Sequence, residues 1–264
     1  PNELFHNSNA TVNTCIMVFR AKEKHPKGYK TYFGYWKQDG FIKIKNIGRT
    51  DFYNKWPLTQ KKWLEAYRNK DEIAGHSVKK VVNENDEWCA EAYMETDYSI
   101  LKKSDFINNL KAFLAYKLLV KNSGFSVSAN PADNSKDYII NTDDWKYFRY
   151  DDGTDNSIFK IKKGKRLTKK DQSDGNIPYV SSSSLNNGID NYIGNGHTDE
   201  NCISFACYGS IGEVFYQDQK VWVSDNANVF YLRKKKLNPY LAMFLITVLR
   251  LEQFRFSYGM TAKK

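Results

Sequence analysis

Cysteine is scarce in this chain of 264 residues, and the four present share no pattern. Cys15, Cys89, Cys202 and Cys207 form no C-x-x-C pair, and His6, His25, His76 and His197 do not cluster near them. That spacing argues against a zinc site. Four cysteines in so long a chain are no secreted disulfide scaffold, and a reducing cytoplasm fits better. Long hydrophobic runs are missing too. The longest, residues 240–249, is about half of what a bilayer span needs, so no membrane partner is expected. There is no signal peptide, and the start at Pro1 suggests a piece excised from a longer protein. The phosphate-cradling patterns G-x-x-x-x-G-K-S/T and G-x-G-x-x-G are absent. Tyr208-Gly209-Ser210-Ile211-Gly212 and Gly194-Asn195-Gly196 therefore read as tight turns between strands. Acidic pairs such as Glu91/Glu95 and Asp86/Glu87 lack nuclease spacing and read as a solvated helix face. No nucleophile–base pair stands out.

Basic residues, by contrast, are in excess, 40 against 30 acidic, for a net charge of +10. That balance favours nucleic acid or another anionic partner without deciding it. A hydrophobic fraction of 41% allows a packed core. The charge is uneven. Five aspartates fall within residues 143–155 and read as a solvated surface, and seven basic residues follow within 160–170. If the basic segment is a strand, Lys160, Lys162 and Lys165 alternate in side with Ile161 and Lys163, giving one cationic face. Such a face either neutralises phosphates with counterion release or guards a sheet edge against aggregation. The first reading is preferred, because Ser181, Ser182, Ser183, Ser184, Asn186 and Asn187 follow at once. Serine and asparagine contact phosphates, and asparagine can pair bidentately with adenine. They also fill turns by bonding their own backbone. The turn reading is preferred for Asn187-Gly188, and both stay open for Ser182, Ser183 and Ser184.

Periodicity places the elements coarsely. Residues 10–19 read as a strand, and residues 30–36 and 41–45 as a hairpin around Asp39-Gly40. Thr59 is placed as the cap of a helix carrying Trp63, Ala66 and Tyr67. A second helix starts near Ser104-Asp105, with Ile107, Leu110, Leu114 and Leu118 inward and Lys117 and Lys121 near its end. Residues 122–144 read as a linker. From Ile177 onward short strands alternate with turns, including Asp218-Gln219 between residues 213–217 and 220–223. Asn238 caps a last helix that begins at Pro239, with Leu241, Phe244, Leu245, Val248 and Leu249 as its apolar face. Asn238-Pro239-Tyr240 is not taken as a methyltransferase motif, since its second proline is missing and it sits at a helix start; Asn130-Pro131-Ala132 fails likewise.

An ordered set of motifs resembles a known family. Phe159, Gly164-Lys165-Arg166-Leu167, Asp171, Ile177-Pro178-Tyr179-Val180, Asn187-Gly188-Ile189, Ile203-Ser204, Gly209-Ser210-Ile211-Gly212 and Phe256-Ser257-Tyr258-Gly259 resemble the target recognition domain of type I restriction–modification specificity subunits. Pro1-Asn2-Glu3-Leu4-Phe5, Thr14 to Phe19 and Lys22 look like the last strands of an adenine-N6 DNA methyltransferase domain. Tyr32-Phe33-Gly34-Tyr35 and Trp88-Cys89-Ala90-Glu91-Ala92-Tyr93 look like the region after it in fused modification–specificity proteins.

The resemblance implies an α+β chain. Residues 1–140 would be methyltransferase-tail strands and a helical connector. Residues 141–264 would be a recognition domain with a twisted, mostly antiparallel sheet. It implies double-stranded DNA, a methyltransferase core and restriction subunits as partners. It implies S-adenosylmethionine as cofactor of the parent enzyme and none in this chain, whose missing methylase motifs would lie upstream of Pro1. The chain alone is expected to be inactive, and whether the parent cleaves DNA stays open. Lys163, Lys165, Arg166, Lys169 and Lys170 are the candidate phosphate anchors. Ser182, Ser183, Ser184, Asn186, Tyr208 and Ser210 are candidates for base or sugar contacts, and Arg255, Tyr258 and Lys263 continue the surface. The alternative is a protein–protein scaffold that docks a modification subunit.

Overall fold

The computed structural model of the protein describes residues 14–44, 47–121 and 139–256. It divides into two compact units, Pro1–Asp97 and Tyr98–Lys264.

The first unit contains β1 (Lys30–Gly34), β2 (Ile42–Ile44), β3 (Gly48–Thr50), α1 (Trp56–Asn69) and β4 (Ser77–Val81). The strands flanking Asp39-Gly40 do not pair with each other as expected. Instead β1 pairs antiparallel with β4, and β2 with β3. Asp39 explains the change. Its buried carboxylate accepts from the Phe41 N–H at 3.1 Å and is clasped by Arg49, next to β2 on β3. The chain bends at Gly40 (φ +87°), but it passes into β2, whose partner is β3 and not β1. Helix α1 is capped not by Thr59 but one turn earlier. The Asp51 carboxylate accepts from the Lys55 and Trp56 N–H groups at 2.7 and 2.9 Å, Pro57 sits in the first turn, and the Thr59 hydroxyl donates back to the Lys55 carbonyl. Trp63 meets Trp36 and Trp56 at ring separations of 5.6 and 5.4 Å, and His76 stacks on Trp36 at 4.8 Å. The strand expected over residues 10–19 is corrected where it is described. Residues 14–19 have no regular structure, and Ile16 is 95% exposed. β-branched composition makes a strand only against a neighbouring edge; residues 10–13 lie outside the described residues.

The second unit contains α2 (Lys103–Lys121), β5 (Phe159–Lys163), β6 (Ile177–Val180), β7 (Ile189–Ile193), β8 (Cys202–Ala206), β9 (Val214–Gln217), β10 (Trp222–Val223), β11 (Ala227–Leu232) and α3 (Pro239–Leu251). Its four-stranded antiparallel sheet has the order β5-β11-β8-β9. A three-stranded sheet has the order β10-β6-β7, with β10 parallel to β6 and β7 antiparallel to it. The fold is therefore α+β and mostly antiparallel, as expected. Asp218-Gln219 separates β9 from β10 as expected, and the two strands belong to different sheets. Lys117 holds Asp218 at 2.7 Å and Gln219 donates to the Tyr116 hydroxyl at 3.1 Å, so α2 draws that turn away from a hairpin path.

Phe159 and Phe205, each 1% exposed, meet Phe230 at the centre of the main core. Truncating either ring to alanine typically costs about 3–5 kcal/mol. Two helices cover this core with faces that overlap those expected, Leu110, Leu241, Leu245 and Leu249 packing on it. Helix α2 buries Phe113 and Tyr116, and leaves Leu114 46% exposed. Helix α3 is capped as expected, the Asn238 side chain accepting from the Leu241 N–H at 2.9 Å, but it buries Ala242, Met243, Ile246 and Leu249 and leaves Phe244 half-exposed. Phe244 stacks on Phe106 of α2 instead, at 5.6 Å. The aspartate run is not wholly solvated. Asp151 accepts from the Ile161 and Gly153 N–H groups and from Arg233, and these bonds hold its carboxyl at about 2. Among the described residues no helix is long and apolar enough to cross a membrane.

Candidate nucleic-acid interface

The antiparallel order puts several chain ends at one end of the four-stranded sheet. Lys163 closing β5 lies opposite Asn228, the second residue of β11, and Ala206 closing β8 lies opposite Ala227, the first. From β5 the chain leaves through Gly164, whose N–H donates to the Ala227 carbonyl at 3.0 Å. A Cβ on Gly164 would sit 2.0 Å from the Ser224 carbonyl oxygen, so no other residue passes here without displacing backbone. The next residues form a strap across the three-stranded sheet. The Lys165 N–H donates to the Val223 carbonyl at 2.8 Å, and the Trp222 indole N–H to the Lys165 carbonyl at 3.0 Å. Over β6 the Tyr179 hydroxyl donates to the Leu167 carbonyl at 3.1 Å, and Leu167 packs on Tyr179, Ile193 and Trp222. Past β7 the Asn195 amide donates to the Asp171 carbonyl at 2.8 Å, and Asn191 of β7 bonds Gln172 at 2.8 Å. The strap is thus tied to all three strands, by its backbone to β10 and β6 and through the Gln172 side chain to β7, which leaves its cationic side chains outward.

The five candidate anchors sit on or beside this strap. Lys163 is exposed at the strand end, and Lys165 lies 5.3 Å from the Trp222 ring centroid with its head in solvent. Arg166 is 78% exposed at the side chain and 3.8 Å from Asp225. Lys169 and Lys170 are exposed on the short turn Lys169–Asp171 and make no ion pair among the described residues. The cationic face expected from Lys160, Lys162 and Lys165 is not uniform. Lys162 holds the buried Asp199 carboxylate at 2.6 Å, and Asp199 also accepts from the Tyr231 hydroxyl at 2.5 Å. Burial first, and Asp199 second, push the Tyr231 hydroxyl up. Lys160 lies on β5, an edge strand, where edge protection accounts for it.

The polar candidates divide as well. The Ser210 N–H donates to the Ser182 carbonyl at 3.2 Å, and the Ser224 N–H to the Val180 carbonyl at 2.9 Å. Ser182, Ser210 and the 45%-exposed Tyr208 therefore gather beside the start of the strap. The turn that carries Tyr208 is the expected glycine turn, with Gly209 and Gly212 at φ +64° and +81°. The Gln253 amide holds it by donating to the Ile211 carbonyl at 2.9 Å. The Ser183 hydroxyl accepts from the Leu185 N–H at 3.1 Å, a local turn bond, while Ser184 and Asn186 are exposed. Asn187 is structural: its buried amide donates to the Tyr216 carbonyl at 2.9 Å on the open edge of β9. Lys169 and Lys170 lie at the far end of the strap from Ser182. Arg255 is bonded to Glu252 and stacks over Phe254, whereas Tyr258 and Lys263 lie outside the described residues.

Gln172, Asn191, Asn195 and Trp222 help to build this surface, and nothing local in the sequence singles them out. A cleft of about 680 Å³ lined by His197, Asp199, Tyr231, Lys235 and Leu237 includes none of the candidate contacts. No group of three His, Cys, Asp or Glu among the described residues could hold a metal ion.

Known proteins similar to this chain include specificity subunits of restriction systems. The specificity subunit S.BcgI of a type II restriction enzyme from Heyndrickxia coagulans is 32% identical over 117 residues, 44% of this chain and 33% of that protein. The chain thus spans about a third of the length of the curated relative it matches. The S subunit of a type I restriction–modification system from M. genitalium is similar over 40% of this chain and 29% of its own, at 17% identity and a TM-score of 0.33. The family described as the type I restriction modification DNA specificity domain matches residues 142–264. That match, over a little under half of the chain, is to a DNA specificity domain of the restriction–modification kind.

Proposed function

We propose that residues 141–264 read a short sequence in double-stranded DNA for an adenine-N6 methyltransferase whose catalytic core lies outside this chain. The observation that carries this reading is the strap, a segment tied to three strands that presents Lys165, Arg166, Lys169 and Lys170 to solvent. Fixed cations position a duplex through its phosphates, and the hydroxyl and aromatic groups of Ser182, Tyr208 and Ser210 stand within the same surface for base or sugar contacts. In this reading residues 1–140 are the methyltransferase tail and connector. S-adenosylmethionine would supply the methyl group from the methyltransferase core, and no residue of this chain holds it. Restriction subunits would join the same complex, and its place would be the cytoplasm.

Changing Lys165, Arg166, Lys169 and Lys170 together to alanine tests the anchors. Affinity for a duplex is expected to fall about 10- to 100-fold, and the slope of log K against log salt to drop by about 3–4, one for each phosphate no longer neutralised. Unchanged affinity and slope would remove the assignment. A second reading, docking of a modification subunit, is favoured by the exposed aromatic side chains of the α2–α3 face, Tyr240 at 77% and Phe244 at 41%. Binding of a methyltransferase subunit that survives the alanine changes, together with no DNA binding by the unaltered chain, would favour it.

A further inference from the structure

We propose that the amides of Gln172 and Asn191 act as one unit that reads the major-groove edge of an adenine; this rests on the DNA-recognition reading above. Asn191 lies on β7 opposite Tyr179 of β6, and the Tyr179 side chain packs under the strap. The pairing therefore puts Asn191 on the strap side of the sheet, with Tyr192 turned to the other. There its amide donates to the Gln172 side-chain oxygen at 2.8 Å, at an exposed position two residues beyond Lys170. No other side-chain bond engages either amide among the described residues.

The chemistry of that pair is specific. Each amide carries one acceptor oxygen and one NH2 donor. The bond between them uses the oxygen of one and a single N–H of the other. If Asn191 donates, Gln172 keeps a free NH2 and Asn191 a free oxygen. If both amides are turned over, the two roles exchange. Either way the pair offers one donor beside one acceptor. Adenine is the base whose own major-groove edge presents both, the N7 acceptor and the N6 amino donor; guanine shows two acceptors, cytosine one donor and thymine one acceptor. Two amides already bonded to each other have less rotamer freedom to lose on binding than a lone Asn or Gln. Lys169 and Lys170 at the same end of the strap supply the adjacent phosphate contacts, which bring a groove edge within reach.

Selection from a pool of random-sequence duplexes, with the intact chain, tests this. The unaltered protein is expected to select a consensus with an adenine that the Gln172→Ala, Asn191→Ala double variant no longer requires. Preference at that one position should fall about 5- to 100-fold, with non-specific affinity and salt slope unchanged. Placing 7-deazaadenine there should weaken the unaltered protein and have no further effect on the double variant. The same consensus from both proteins, or a uniform loss at every position, would overturn the inference while leaving DNA recognition intact. Selection of no sequence by the unaltered protein would overturn both. If the double variant unfolds, the Gln172→Met, Asn191→Leu pair serves, since it removes both amides with little change of volume; retention of the adenine preference in that variant would also overturn the inference.

Discussion

Replacing Gly164 with alanine is expected to destabilise the second unit by about 3 kcal/mol. A glycine-to-alanine change at a permissive site stabilises by about 0.4–1 kcal/mol, because the unfolded chain loses freedom. Here that gain is outweighed. The new Cβ would lie 2.0 Å from the Ser224 oxygen and 2.8 Å from the Val223 oxygen, both backbone atoms that no rotamer change can move aside. Relief requires the strap to lift from β10, which breaks the Lys165–Val223 and Trp222–Lys165 bonds. The fitting control is Gly196→Ala, where φ is +85° and nothing lies within 4 Å, so only backbone strain of about 1 kcal/mol is expected. Urea unfolding of the two variants separates steric collision from conformational strain. A Gly164→Ala midpoint equal to that of the unaltered protein would show that the strap does not pass so close to Ser224.

An Asn187→Ala change is expected to cost about 3 kcal/mol, for two reasons that can be separated. The first is the buried network. Asn187 donates to the Tyr216 carbonyl and, at 3.3 Å, to the Gln217 side-chain oxygen. The Gln217 amide donates back to the Asn187 carbonyl and to the Ser204 hydroxyl, both at 3.0 Å, and Gln217 is 1% exposed. Truncation strands a β9 edge carbonyl and one amide oxygen, at about 1–3 kcal/mol for unsatisfied buried groups. The second reason is the backbone: Asn187 has φ +56°, a conformation that asparagine tolerates and alanine disfavours by about 1 kcal/mol. Asn187→Gly removes the second penalty alone and should recover about 1 kcal/mol in thermal unfolding. Equal losses in both variants would assign the whole cost to the network.

The sequence makes some of this legible and hides the rest for a physical reason. Features fixed within a few residues are readable: the Asn238 cap of α3, the existence of α2, and the glycine turn between β8 and β9. Asn187 is readable as a turn residue from the Asn-Gly pair, although its amide reaches a strand edge 29 residues away. Features fixed by distant partners are not. Lys162 looks like its neighbours until Asp199 neutralises it. Gly164 looks like a turn glycine, yet it lacks the positive φ of one and is required by the Ser224 carbonyl. The turn between β9 and β10 is readable from Asp218-Gln219, but that the two strands join different sheets, with α2 holding the turn, is not. The candidate site shows the same division. Its cations are visible as a run, whereas the strap that orders them depends on Trp222, Tyr179 and Asn195, contributed by three separate segments.

Hydrogen exchange of the chain with and without a duplex at low salt tests the account most directly, because non-specific binding needs no knowledge of the site read. Slowed exchange is predicted over residues 163–172, 181–186 and 207–212, with no change along the α2–α3 face around Phe106 and Phe244. Protection confined to that aromatic face, with the strap unaffected, would contradict the account.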